Sequence, residues 1–291
     1  MWSGCLTALI TPFRPGGAID YDALGKLIET QVTGGVQGLV PCGSTGESAT
    51  LTHEEHAQVV RAVIEMARRR LPVIAGTGSN STAEAIRLTQ EAERAGADGA
   101  LLISPYYNRP PQEGIFRHYE AVAAATKLPL LVYNIPGRTG SNVLPETIAR
   151  LARIPNIVGV KEASGSMAQV QEIVATCGAE FAVLSGDDNM TLPIMSAGGT
   201  GVIAVASHLV PERMSRMAAA LQAGRLAEGR AEALALLPLL QALSLDVNPI
   251  PVKTALAMRG LCHEEFRLPL VPMAPTARDR LHGVLERYGL V

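Results

Sequence analysis

Short runs of Val, Ile and Leu recur along the chain between longer stretches in which apolar residues return every three or four positions. The short runs do not alternate apolar with polar residues, as a strand with one wet face would, so they predict parallel strands covered on both sides. Eight are predicted, near residues 5–10, 36–42, 72–76, 98–103, 129–134, 157–161, 181–186 and 201–205. Helical patterns lie between them, among them His53 to Arg69, Ala83 to Ala95, Gln112 to Ala125 and Pro145 to Leu151. Each strand with its helix is one βαβ step, and eight steps predict an α/β fold, the (β/α)8 TIM barrel.

Local punctuation agrees with this division. Thr52-His53-Glu54-Glu55 predicts a capping box, in which Thr52 and Glu55 satisfy orphan amides at a helix start. Gly34, Gly35 and Gly96 follow predicted helices, where a left-handed cap is wanted. Beyond residue 208 the pattern is helical up to Gln241 and again toward Val291. It breaks at Asp246-Val247-Asn248-Pro249-Ile250-Pro251, whose two prolines cannot continue a helix. The division expected is a barrel over residues 1–224 and a C-terminal helical appendage over 225–291.

Composition narrows the setting. With 47% hydrophobic and 18% charged residues, 291 residues suffice for one barrel core, and nothing suggests disorder. A net charge of -2, from 25 basic and 27 acidic residues without a long run of one sign, gives no reason to expect nucleic acid as a partner. Cys5, Cys42, Cys177 and Cys262 form no C-x-x-C pair and are too sparse for a disulfide framework, which fits a reducing cytoplasm. Met1-Trp2-Ser3-Gly4-Cys5 lacks the basic and apolar regions of a leader, and no stretch approaches the ~18 apolar residues of a membrane span.

In such a barrel, chemistry belongs to the carboxyl ends of the strands and the loops that follow. Against 21 arginines the chain has only Lys26, Lys127, Lys161 and Lys253, and only Lys161 ends a predicted buried strand, Ile157-Val158-Gly159-Val160-Lys161. Gly159 points to the same side and is expected to leave room for a long side chain inside the barrel. Burial depresses an ammonium pKa, and a neutral amine is what attack on a ketone requires. The protonated imine so formed withdraws electrons, so a pyruvate adduct can lose a methyl proton and become an enamine. The alternative without chemistry is a lysine paired with Glu162 or Asp187.

Tyr133 ends the preceding strand, where its phenol can relay protons to Lys161 or simply find a backbone partner. Gly43-Ser44-Thr45-Gly46-Glu47 follows the second strand, and its amides and hydroxyls suit a bound carboxylate. Gly76-Thr77-Gly78-Ser79-Asn80-Ser81 lacks the third glycine of a dinucleotide fingerprint, so no nucleotide is assigned. His53 and His56 share a helical face but lack metal-site spacing and read as a solvated helix start. Asp187-Asp188 has the chemistry for magnesium but reads rather as a cap on the following helix.

Several blocks together resemble the dihydrodipicolinate synthase family, within the pyruvate-dependent class I aldolases that include N-acetylneuraminate lyase. They are Gly43-Ser44-Thr45-Gly46-Glu47-Ser48, Pro105-Tyr106-Tyr107-Asn108-Arg109-Pro110, Val132-Tyr133-Asn134-Ile135-Pro136-Gly137-Arg138-Thr139-Gly140, Gly159-Val160-Lys161-Glu162 and Asn248-Pro249-Ile250-Pro251-Val252-Lys253. Ser44 departs from the pattern, since many synthases have a second threonine there, but it keeps a hydroxyl donor. The resemblance implies condensation of pyruvate with L-aspartate 4-semialdehyde to hydroxy-tetrahydrodipicolinate, toward diaminopimelate and lysine, without metal or organic cofactor.

It also implies roles. Lys161 is the Schiff-base lysine and Tyr133 the central proton donor and acceptor, linked by Thr45 to Tyr107 of a neighbouring subunit. Ser44 and Thr45 hold substrate, Arg138 receives the semialdehyde carboxylate, and the backbone of Gly186 and Ile203 lines the pocket near the imine. Ser48, Ala49, His53, His56, Asn80, Glu84 and Tyr106 match the pocket for the inhibitor L-lysine. Glu84 or His56 is expected to hold an ammonium group there, and Asn80 with the Tyr106 hydroxyl a carboxylate. A homotetramer of two tight dimers is implied. Arg138 separates this reading from N-acetylneuraminate lyase, because sugar-acid lyases usually lack it. A metal-dependent lyase using Asp187 and Asp188, or a non-catalytic relative, are the remaining readings.

Overall fold

A computed structural model of the chain describes residues 2–291; Met1, where the N-terminal reading begins, lies outside them. Eight strands appear where the apolar runs predict them: β1 Gly4–Ala8, β2 Gly38–Val40, β3 Ile74–Gly76, β4 Gly99–Ile103, β5 Leu130–Asn134, β6 Ile157–Glu162, β7 Ala182–Ser185 and β8 Gly201–Ala204. All neighbours are parallel, in the order β2-β1-β8-β7-β6-β5-β4-β3. The ring closes through a single bridge, Leu39 to Val73. This is the expected (β/α)8 barrel.

Helices α1 Tyr21–Thr33, α2 His53–Ala67, α3 Thr82–Ala95, α4 Gln112–Ala124, α5 Pro136–Thr139, α6 Pro145–Leu151, α7 Met167–Cys177, α8 Thr191–Ser196 and α9 Pro211–Gln222 follow the strands. Then come α10 Leu226–Ala242, α11 Ile250–Met258 and α12 Pro275–Arg287. The capping box forms as predicted, with Thr52 and Glu55 each bonding the other's amide. Gly96 takes the left-handed cap at φ 90, and Gly35 does so at φ 68. Gly34 does not; it stays right-handed at φ -73, and a Cβ there would stand 2.4 Å from Pro211, so packing rather than capping calls for glycine. The prolines near 250 also differ from expectation. Pro249 caps α11 and Pro251 lies in its first turn, where no intrahelical N–H is needed, so Pro251 joins a helix instead of breaking one.

Two apolar layers result from the strand pleat. Leu6, Ala8, Val40, Ile74, Leu101, Leu131, Tyr133, Leu184 and Ile203 fill the barrel interior. Residues pointing the other way, such as Val132, Val160, Val183 and Val202, pack under the helices. Among the described residues no helix is long and apolar enough to cross a membrane.

Candidate active site

Strand register places Tyr133 on β5 directly opposite Lys161 on β6. Both side chains are buried, and the Lys161 Nζ stands 4.3 Å from the centre of the Tyr133 ring. Among the described residues the Lys161 side-chain nitrogen has no hydrogen bond or ion pair. Glu162, the partner that a merely structural lysine would use, instead bonds Asn134, Gln169 and the Ser164 amide. Gly186 backs onto the lysine, since a Cβ there would lie 3.2 Å from Lys161 Cε. Ile203 packs in the same interior cluster as Tyr133.

Gly159 does not provide the expected room for Lys161. A Cβ at that position would meet the Ala182 carbonyl at 2.5 Å and Leu131 Cδ2 at 2.9 Å. The missing side chain brings β7 close and leaves space for Leu131, not for the lysine.

A second lysine is buried, one that ends no strand. Lys253 on α11 is wholly enclosed, against the rings of Phe13 and Phe266, and donates to Glu47 Oε1 at 2.5 Å. Burial pulls its ammonium pKa down, and the Glu47 carboxylate works against that shift. Glu47 also accepts from the Arg267 amide at 3.3 Å. A buried lysine with a dedicated carboxylate is a satisfied ion pair; one without is available for chemistry. The Asn248 to Lys253 block offered the only sequence signal for this pair.

The Gly43 to Glu47 loop partly meets its expectation. The amides of Gly46, Glu47 and Ser48 are used inside the turn, on Gly43 and Ser44 carbonyls. Among the described residues the Ser44 and Thr45 amides have no partner, which leaves two donors for an anion. Thr45 is buried, and its Oγ1 accepts from Asn248 Nδ2 at 3.0 Å. Asn248, which carries no role of its own in the sequence pattern, also accepts from Arg138 Nη2 on its main-chain oxygen at 2.9 Å.

One cleft of about 460 Å³ joins Ser44, Tyr133, Arg138 and Asn248 to Ser48, Ala49, His53, His56, Glu84 and Tyr106. Residues expected for catalysis and for lysine binding thus share a continuous space in one chain. Lys161 is not on its lining; the Tyr133 ring against it is. Asn80 stands beside the cleft and donates to the Tyr106 carbonyl at 3.1 Å. Glu84 bonds His53 at 2.7 Å and also Ser79, and the Ser79 contact, opposed by burial, leads in holding its carboxyl below the usual range.

His56 corrects the reading of a solvated helix start. It is buried, its Nε2 donates to the Gly76 carbonyl at 2.7 Å, and burial pushes its pKa down, so it is a neutral residue committed to the backbone. Gly76 and Gly78 serve close packing, since a Cβ would meet Cys42 O and Ile103 N respectively, each at 2.3 Å. Asp187 caps the turn after β7 through the Asn189 amide. Asp188 does not cap; it accepts from the Val205 and Ala206 amides and ties β7 to β8. Burial pushes its pKa up to about 6, although both amides and the nearby Lys161 oppose the shift. No cluster of three or more His, Cys, Asp or Glu suited to a metal occurs among the described residues.

Tyr107 is not in this chain's cleft. Its side chain is 89% exposed on a loop where its own φ is 70, a conformation rare for a bulky residue, held by its amide on the Thr139 carbonyl at 3.2 Å.

The chain matches the Dihydrodipicolinate synthetase family over residues 1–288. It is 52% identical over 291 residues, the whole of both chains, to 4-hydroxy-tetrahydrodipicolinate synthase of Syntrophus aciditrophicus (strain SB). Its fold superimposes on dihydrodipicolinate synthase from Aquifex aeolicus with a TM-score of 0.98 at 45% identity, covering 99% of each chain. A structure of the Cyanidioschyzon merolae enzyme with lysine bound matches at a TM-score of 0.96 and 41% identity, again covering 99% of each.

Proposed function

This chain belongs to the dihydrodipicolinate synthetase family, and from that premise we infer how its barrel mouth works. The protein is a lyase of the class I aldolase type, a 4-hydroxy-tetrahydrodipicolinate synthase that condenses pyruvate with L-aspartate 4-semialdehyde in the synthesis of diaminopimelate and lysine. What carries the site assignment is the contrast between its two buried lysines. Lys253 has Glu47, whereas Lys161 has the face of Tyr133 and, among the described residues, no carboxylate in ion-pair contact.

The Lys161 amine attacks the pyruvate ketone carbon, and the carbinolamine loses water to give a protonated imine. Tyr133 supplies the proton to the departing hydroxyl and takes one back from the methyl carbon, leaving an enamine. The free amides of Ser44 and Thr45 receive the pyruvate carboxylate, and Gly186 and Ile203 bound the pocket around the imine. The enamine carbon then bonds to the semialdehyde carbonyl carbon. Arg138, at the cleft wall, holds the second carboxylate by its planar fork. The semialdehyde amine closes on the imine carbon and releases Lys161.

Tyr107, held outward, completes the proton relay of a neighbouring subunit through Thr45, in a tetramer of two tight dimers. L-Lysine inhibits from the Ser48, Ala49, His53, His56, Asn80, Glu84 and Tyr106 end of the cleft. There Glu84 is the anionic partner for an ammonium, because His56 is already engaged by Gly76. The four free cysteines fit a cytoplasmic setting. Purified protein should consume pyruvate and L-aspartate 4-semialdehyde in equal amounts. Cleavage of N-acetylneuraminate with the semialdehyde left untouched would overturn the assignment.

A further inference from the structure

Asn134 and Glu162 face one another across β5 and β6, one position beyond Tyr133 and Lys161. Successive side chains of a strand point to opposite faces, so this second pair lies outside the barrel wall while the first lies inside it. Both are buried, and among the described residues no cation pairs with Glu162. Its carboxylate is met by neutral donors: the Ser164 amide at 2.6 Å, Asn134 Nδ2 at 3.0 Å and Gln169 Nε2 at 3.2 Å. An acceptor-only group fixes which way its neighbours turn, since an Asn134 that gives its nitrogen to Glu162 must point its oxygen elsewhere. That oxygen accepts from the Val143 amide at 2.9 Å, and the nitrogen also donates to Asn142 Oδ1 at 2.8 Å.

These bonds close a loop. Asn134 ends β5, and Val143 lies on the return limb of the segment that carries α5 and Arg138. The outgoing limb is held by the β5 ladder, but residues 142–144 belong to no helix or strand. Side chains hold their main chain instead: Asn134 takes the Val143 amide, Gln169 donates to the Val143 carbonyl at 3.3 Å, and Gln112 bonds the Asn142 carbonyl and the Leu144 amide.

We propose that Glu162 is a positioning residue for the second substrate: by orienting Asn134 it fixes the return limb of this loop, and with it the place of the Arg138 guanidinium at the cleft. The proposal rests on Arg138 receiving the semialdehyde carboxylate. The pyruvate side is held by other means. Ladder pairing sets Tyr133 opposite Lys161, and the Tyr107 loop is tied by Asn80 to the Tyr106 carbonyl and by Asn108 to the Asn80 carbonyl.

The test uses the full-length protein and two readouts, the KM for semialdehyde and borohydride trapping of the pyruvate imine. Glu162→Gln turns an N–H group toward donors and frees Asn134 to rotate. The semialdehyde KM should rise roughly tenfold, about the worth of one net hydrogen bond, while trapping goes to completion as before. In an Arg138→Ala background Glu162→Gln should add nothing to that KM, as expected for a residue acting only through Arg138. Asn134→Asp combined with Glu162→Gln should recover most of the loss. The carboxylate moved to position 134 accepts from the Val143 amide and from the new amide at 162, and the Asn142 and Gln169 amides can turn over to match. Only the 3.3 Å contact to the Val143 carbonyl is given up. If Glu162→Gln loses its fold, Asn142→Ala, at a half-buried position, carries the same KM and trapping expectation.

An unaltered semialdehyde KM, equal damage to trapping, or no recovery in the double variant overturns this inference while the role of Arg138 stands. Unimpaired use of semialdehyde by Arg138→Ala overturns both.

Discussion

Lys161 and Tyr133 face one another across β6 and β5, with the lysine Nζ 4.3 Å from the ring centre and no carboxylate bonded to it. An aromatic face attracts a cation only weakly compared with a buried ion pair, so the arrangement leaves the lysine nitrogen uncommitted to a carboxylate.

Borohydride added with pyruvate should therefore inactivate the protein irreversibly and place one pyruvyl label on Lys161, located by peptide mass mapping. Lys253 should stay unlabelled, because its nitrogen is enclosed and bonded to Glu47. A label on Lys253 or Lys127 would sink the mechanism.

Arg138 lines the cleft with one guanidinium nitrogen on the Asn248 carbonyl, which leaves donors for a substrate carboxylate. Arg138→Ala should weaken use of the semialdehyde by about 1.5–3 kcal/mol in kcat/KM, the worth of a hydrogen bond to a charged group. Trapping of the pyruvate imine should be far less affected. Equal damage to both steps would reject the role.

The role proposed for the outward Tyr107 in a neighbouring subunit predicts complementation between subunits. Tyr107→Phe and Lys161→Ala proteins, each nearly inactive, should partly regain activity when refolded together, since a mixed dimer holds one site with both residues intact. No recovery, with subunit exchange demonstrated by mass, would remove Tyr107 from its neighbour's site.

Lysine inhibition should depend on Glu84, whose carboxylate borders the cleft beside His53. Glu84→Ala should raise the lysine concentration needed for half-inhibition by about tenfold or more, within the usual range of coupling and charge-assisted contacts. Calorimetry that finds no lysine binding to the unaltered protein at millimolar concentration would reject the site.

Stability should fall with acid before most carboxylates titrate. Burial pushes the pKa of His118 and of His208 down to about 4, and lowers that of His56. An unfolded histidine titrates near ~6.5, so below that pH the unfolded chain binds protons that the folded chain refuses. Their contribution is whole above pH ~6.5 and is lost as pH falls toward 4, by roughly 1–2 kcal/mol for each of His118 and His208 at pH 5. Thermal melting followed from pH 7.5 to 4.5 checks this; a flat melting temperature across the window would be the contrary result.

The sequence by itself determined the eight strands, the capping box at Thr52 and the position of Lys161 at a strand end. These are local matters: apolar periodicity, hydrogen bonding within one turn, and alternation along a strand operate between near neighbours. Only the tertiary structure decided which polar residues meet. Glu47 and Lys253 pair across 206 positions and Thr45 and Asn248 across 203, because barrel closure brings α11 over the mouth of β2. The same closure buries His56 on Gly76 and fills the space beside Gly159 with Leu131 and β7. A charge or a glycine takes its meaning from what surrounds it, and here those surroundings come from distant parts of the chain that no periodicity places.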